Sequence, residues 1–193
     1  MLKYTLSIPA ISPASLRLDD LTEAIVRVLH LSGERTITIA PETGSDRLRR
    51  VINKTVTNHE ILDRAELIFA NGIENLKLYY MIGLPTETDD DLVAIRDITL
   101  QMRDRMMAHA RGRGAVGRII GSVNPLIPKP GTAYQWLPME DPASIDRKIK
   151  RLRSETDRTG APRLRKPRWM QTSSFSAIAA ATRCCRGTSS TAE

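Results

Sequence analysis

Three short runs rich in β-branched and apolar residues, RTITIA (35–40), NLKLYYMI (75–82) and GRIIGSVN (117–124), constrain this chain more than any other feature. Each breaks at Gly, Pro, Ser or Asn, and each is followed in turn by an amphipathic helical pattern. A fourth run, KYTLSI (3–8), precedes them with the same character. Strand and helix in alternation, with short connections, specify a parallel sheet, because parallel neighbours need a helical crossover. Right-handed crossovers then bring every strand-to-helix turn to one end of the sheet. SIPAISPASLR, APETGS, MIGLPTET and VNPLIPKPGT gather there, where α/β folds bind their ligands.

The helical segments carry their own punctuation. Asp19 or Asp20 can cap a first helix with an apolar face of Leu21, Ile25, Val28 and Leu29, stopping at Ser32-Gly33. Ser45 suits the N-cap of a second, to about Asn53, with Leu48, Val51 and Ile52 turned inward. Thr57 through Glu60 spell a capping box, and the helix it opens buries Ile61, Leu62, Ala65, Ile68 and Phe69 before ending at Asn71-Gly72. Thr86 is the expected cap of a fourth helix, with Glu87 and Asp89 near its positive end and one face of Leu92, Ile95, Ile98, Met102 and Met106. A last amphipathic helix runs from about Pro142 to Arg153.

Charge and cysteine divide the chain at about residue 156. The net charge of +7 suggests nucleic acid until it is located. Residues 1–156 hold 22 basic and 20 acidic side chains, and residues 157–193 hold 7 and 2. Both cysteines, Cys184 and Cys185, fall in that basic, low-complexity tail, where periodicity stops. The tail reads either as disordered or as an out-of-frame translation, and a nucleic-acid role for it is disfavoured by its few aromatics. No apolar run reaches the ~20 residues of a membrane span and no signal peptide is evident, so a cytoplasmic protein with no membrane partner is expected.

Few local motifs carry chemistry alone. Glu42-Thr43-Gly44-Ser45 joins a strand end to a helix start, and reads either as a capped turn or as a cradle for a small charged ligand. GLPTETDDD has the same two readings. GRGAVG (112–117) matches a dinucleotide fingerprint literally, but it leads from helix into strand, the reverse of that motif. His30, His59 and His109 are scattered without metal-ligand spacing, and no Ser-His-Asp order can be assembled.

Taken together and in order, APETGSDRLRRVINKTVT, KLYYMIGLPTETDDDL and NPLIPKPGTAYQW closely resemble the second half of the radical S-adenosylmethionine core domain. The likeness is nearest to the subfamily whose members often carry a cobalamin-binding domain. SLRLDDL resembles the strand-end segment that precedes these motifs, and the resemblance covers residues 5–153 or so. It implies an α/β fold: a partial (β/α) TIM-like barrel with helices outside, here with four of the family's six strands. It also implies site roles. Glu42 and Ser45 match the strand-end polar pair at the ribose or methionine of S-adenosylmethionine, and Lys54 a basic residue near its carboxylate. Met81, Ile82 and Gly83 match the strand end against adenine, and Asn124, Pro125 and Leu126 the last strand's end near adenine or substrate. Lys129 and Thr132, in the PKPGT turn, shape the pocket.

The family holds a [4Fe–4S] cluster by three cysteines in a C-x-x-x-C-x-x-C loop, and this sequence contains no such loop. The expectation is a truncated radical S-adenosylmethionine protein, residues 1–156 being the later part of the barrel. It is expected to be inactive alone, with no metal ligands or catalytic residue of its own and weak or lost cofactor binding. Loss of the early strands would expose a sheet edge and leave apolar area wet at roughly 25 cal/mol per Å². Two alternatives stay open: a half-barrel module that complements a separate N-terminal half, and a weak nucleic-acid binder through the tail. The substrate is unknown, and cobalamin participation stays open.

Overall fold

The computed structural model describes residues 16–111, 116–159, 162 and 164–165. The expected first strand (3–8), most of GRGAVG and nearly all of the tail lie outside the described residues. The described chain runs α1 (Glu23–Leu31), β1 (Thr36–Glu42), α2 (Asp46–Val51), α3 (Asn58–Ala70), β2 (Asn75–Ile82), α4 (Asp89–Ala110), β3 (Ile119–Pro125), α5 (Pro142–Thr159) and β4 (Leu164–Arg165). The strands form one sheet in the sequential order β1-β2-β3-β4, and every neighbouring pair is parallel.

Alternation along the strands decides where the core lies. Ile37 and Ile39 of β1, Leu76, Leu78, Tyr80 and Ile82 of β2, and Ile119 and Val123 of β3 are buried in one cluster with the helices. From the helices come Val26, Leu29, Ile61, Ile68, Phe69, Leu92, Ile95, Met102, Ile145 and Ile149. Successive side chains point to opposite faces, so Thr38, Lys77, Tyr79, Ile120, Ser122 and Asn124 occupy the face away from this core, and none of them is buried. One helix-covered face and one open face, with sequential parallel strands, is a segment of a (β/α) barrel.

Local signals held where the partner is near in sequence. The Thr57 capping box forms as read: Thr57 Oγ1 accepts from the Glu60 N–H, and the Glu60 carboxylate accepts from the Thr57 N–H at 2.8 Å. All five expected apolar residues of α3 and all five of α4 are buried. Three expectations shift. The cap of α1 is Thr22, later than Asp19 or Asp20, so Leu21 is buried ahead of the helix while Ile25 and Val28 are 39% and 45% exposed. Helix α2 stops at Val51, which is 41% exposed, and Asn53 takes a left-handed φ of 57°. Helix α4 is capped by Thr88; Thr86 has a φ of 62° and points its oxygens at Arg47.

The boundary near residue 156 also moves. Helix α5 continues to Thr159, burying Ile145, Ile149, Leu152 and Thr156. Leu164 and Arg165 then pair with Gly121 and Ser122, and Leu164 is 3% exposed against the core. The fourth observed strand therefore comes from beyond the expected domain end, and a two-residue strand is too short to leave a periodic signature.

Candidate functional site

The C-terminal ends of β1, β2 and β3 open onto two adjoining clefts. The first, about 460 Å³, is lined by Leu16 to Asp19, Ala40, Glu42 and Asn53 to Val56. The second, about 270 Å³, is lined by Glu42, Tyr79, Tyr80, Met81, Asn124 to Ile127 and Lys129. Glu42 belongs to both. It stands at the tip of β1, after a register irregularity between Ile39 and Glu42, with a φ of 65°. A non-glycine residue held there costs about 1 kcal/mol or more, and such strain clusters where a side chain must be presented to a ligand.

Lys54 completes the first cleft. Its Nζ donates to the Ala40 carbonyl at 2.6 Å and to Glu42 Oε1 at 3.1 Å, with both side chains only partly exposed. The cation sits here because α2 ends at Val51 and the chain reverses through left-handed Asn53. Along the second cleft, the Leu126 N–H donates to the Ile82 carbonyl at 2.8 Å, continuing the β2–β3 pairing past the strand ends. That bond holds Pro125 and Leu126 beside Met81, whose register partner is Asn124. The result is a polar, charged compartment and a more apolar one, meeting at a carboxylate.

Six of the nine expected cofactor residues line these clefts: Glu42, Lys54, Met81, Asn124, Pro125 and Leu126. The structure places the other three elsewhere. Ser45 caps α2 by accepting from the Leu48 N–H at 3.1 Å, and its hydroxyl donates to Asp91 at 2.5 Å. Ile82 is fully buried on the helix side. The Gly83 N–H donates to the Glu87 carboxylate at 3.0 and 3.1 Å, turning the backbone away from the cleft. Of the PKPGT turn, Lys129 lines the second cleft, while the Thr132 hydroxyl donates to the Lys129 carbonyl at 2.7 Å. Sequence reasoning missed Tyr79, although period-two alternation from Met81 places it on the open face. It also missed Arg17 and Asn53 on the first cleft.

Much of the polar chemistry beside the clefts is scaffolding. Arg49 is fully buried, donating from Nε to the Val56 carbonyl at 2.8 Å, from Nη1 to the Thr43 carbonyl at 2.5 Å, and from Nη2 to Asp46 and Asn58. Asp91, 3% exposed, accepts from Ser45, from the Thr88 N–H and hydroxyl, and from Arg47. Burial alone would raise its pKa, but those hydrogen bonds together hold it below the usual carboxylate range. Glu87 is shifted the other way: burial pushes its carboxyl up, opposed by Lys148 at 2.6 Å. Lys148 also bonds Glu140 at 2.7 Å, and the two carboxylates keep its ammonium above the ordinary lysine range despite burial.

The fold is an α/β barrel segment whose strand ends open onto one charged cleft and one more apolar cleft. The chain matches the family model of the Radical SAM superfamily over residues 7–98. It is also 38% identical over 125 residues to an uncharacterized protein of Methanocaldococcus jannaschii, an alignment covering 65% of this chain and 25% of that relative. The chain therefore spans about a quarter of the length of the curated relative it matches. The family generally uses S-adenosylmethionine and a [4Fe–4S] cluster. A carboxylate, an ammonium and an apolar wall line the two clefts. Among the described residues no three His, Cys, Asp or Glu side chains assemble as a metal set, and both cysteines of the sequence, Cys184 and Cys185, lie outside those residues. Among the described residues no helix is long and apolar enough to cross a membrane.

Proposed function

We propose that this chain supplies the S-adenosylmethionine-holding part of a radical SAM site, without the thiolates that would hold the cluster. Glu42 accepts hydrogen bonds from ribose hydroxyls or from the amino group, and Lys54 both orients Glu42 and faces the carboxylate end. Met81, Pro125 and Leu126 pack the adenine, and Asn124 offers donor and acceptor to its edge. When bound in an intact family site, S-adenosylmethionine supplies a 5′-deoxyadenosyl radical. This chain's own residues bind, orient and shield from water; on its own it is expected not to cleave the cofactor.

The observation that carries this reading is the strained Glu42, shared by a charged cleft and an apolar one. Calorimetric titration with S-adenosylhomocysteine tests it. Saturable binding weakened at least tenfold in Glu42→Ala is expected; no binding by the unaltered chain, or equal binding by the variant, sinks the reading. Stoichiometric four-iron loading after anaerobic reconstitution would contradict the absence of a cluster site on this chain.

A second reading, a module that receives a cysteine-bearing strand, is favoured by the outer edge of β1. The Arg35 carbonyl faces β2, accepting from the Asn75 N–H, so the backbone groups of Thr36 and Thr38 point outward, and there the Thr38 carbonyl already accepts a strand-like bond from the Leu16 N–H at 3.2 Å. Ile25, Val28 and Leu31 of α1 are exposed on a helix adjoining the same side. Co-expression with a polypeptide bearing the C-x-x-x-C-x-x-C loop would give a stable four-iron complex if this holds, and separate proteins if it does not.

A further inference from the structure

The open face of the sheet is not built as the interior of a packed barrel. Such interiors are filled by layers of branched apolar side chains. Here one row reads Thr38, Lys77, Ile120 across β1, β2 and β3, and the next places Tyr79 beside Ser122, with Arg165 beyond it in β4. None of these side chains is buried.

The charges on this face are not balanced. Arg17 is answered by Asp19 at 3.5 Å and Lys54 by Glu42 at 3.1 Å. Lys77, Lys129 and Arg165 have no carboxylate partner among the described residues. Lys77 Nζ lies 4.9 Å from the centroid of the Tyr79 ring. Tyr79 is itself a wall of the second cleft, so the cation leans from the middle of the sheet toward that cleft.

We propose that the substrate taken at this site is an anion, a phosphate- or carboxylate-bearing molecule whose charged group docks on Lys77. This rests on the reading of the clefts as an S-adenosylmethionine site. A neutral molecule filling the open face would strip water from an ammonium without replacing it, at a cost of several kcal/mol. An anion replaces that water with a charge-assisted hydrogen bond. Glu42 is the register partner of Tyr80, three residues beyond Lys77. At ~3.3 Å per residue the anion docks about 10 Å below the level of Glu42. That spacing calls for a substrate whose reacting atom is several bonds from its anionic group, with Lys129 and Arg165 adding to the attracting field.

The test titrates inorganic pyrophosphate and, separately, citrate into the whole chain at physiological salt, following heat and the ring resonances of Tyr79. Binding of at least one probe with a shift at Tyr79 is expected, and the arm that binds tells phosphate from carboxylate. Lys77→Met and Lys77→Gln should each weaken that probe at least tenfold, Lys77→Arg less than threefold, and Lys150→Met, on exposed α5 surface, not at all. The proposal is overturned if neither probe binds, if Tyr79 is silent, or if Lys150→Met weakens binding as much as Lys77→Met. Should the unfolding transition show that one Lys77 variant fails to fold, the other variant and the Tyr79 signal still decide. Failure with S-adenosylhomocysteine alongside success here would remove the cofactor reading and leave the anion site standing.

Discussion

The two turns at the tips of β1 and β2 look alike in sequence, each a glycine-containing bend before a capped helix, yet they divide their labour differently. In the first, Glu42 faces the clefts while Thr43, Gly44 and Ser45 turn inward, and Gly44 lies so close to α4 that a Cβ would come within 2.1 Å of the Ala94 and Ile95 backbone. In the second, the Glu87 side chain is 2% exposed, and Gly83, Glu87, Lys148 and Glu140 form one partly buried network. The turns are also bolted together, since Arg47 donates to the Thr86 carbonyl at 2.8 Å and Ser45 to Asp91 at 2.5 Å. One turn directs a carboxylate to the clefts and the other braces it. A motif can thus be recognised whole while most of its residues serve the frame.

The largest effect that separates the two roles should come from Gly44→Ala. The new methyl meets backbone, which cannot step aside, so a loss above about 4 kcal/mol is expected, read as failure to recover soluble, cooperatively unfolding protein. Lys148→Met comes next. It leaves two carboxylates facing each other and should cost about 3 kcal/mol in chemical denaturation at pH 7. Because the folded pKa of Glu87 is already raised, protonation relieves that repulsion, and the deficit should shrink as pH falls toward the acid range. A deficit independent of pH would show that the network is not ionic.

Asp91→Asn should cost about 2 kcal/mol at neutral pH, from weakened charge-assisted hydrogen bonds. Its folded pKa is depressed, so the wild-type advantage is complete above the ordinary carboxylate pKa and disappears as pH drops through the folded value. Equal stability of variant and wild type at pH 7 would detach the two turns from one another. The smallest change in stability belongs to Glu42→Gly, within about 1 kcal/mol of wild type because relief of the left-handed strain offsets loss of the Lys54 contact. S-adenosylhomocysteine affinity should nonetheless fall at least tenfold. Marked destabilisation without loss of affinity would reverse the roles assigned to the turns.

What the sequence disclosed follows how local each cause is. The Thr57 box, the buried stripes of α3 and α4 and the bounds of β2 rest on residues a few positions apart, and all were legible. Arg49 gave no sign of burial, because its acceptors come from the two connections on either side of α2, which meet only in the folded state. The Glu42–Ser45 turn read either as a cap or as a ligand cradle, whereas the near neighbour of its Gly44 is a helix backbone fifty residues later. The exposed Ile25 and Val28 misled because hydrophobic periodicity reports an apolar face without saying what covers it. In the site, the strand-tip positions were readable from alternation, but whether Ser45 faces a cleft depended on Asp91 in the neighbouring unit, and whether Gly83 does on Glu87 later in its own turn.

Because the strand order in space is the order along the chain, each β-strand is laid against the one synthesised just before it. Among the described strands, none must wait for a distant partner or thread between two already placed. The described sheet can therefore accrete from β1 toward β4 as the chain leaves the ribosome, and the two-residue β4, last of the described strands, is also the first of them to detach under stress.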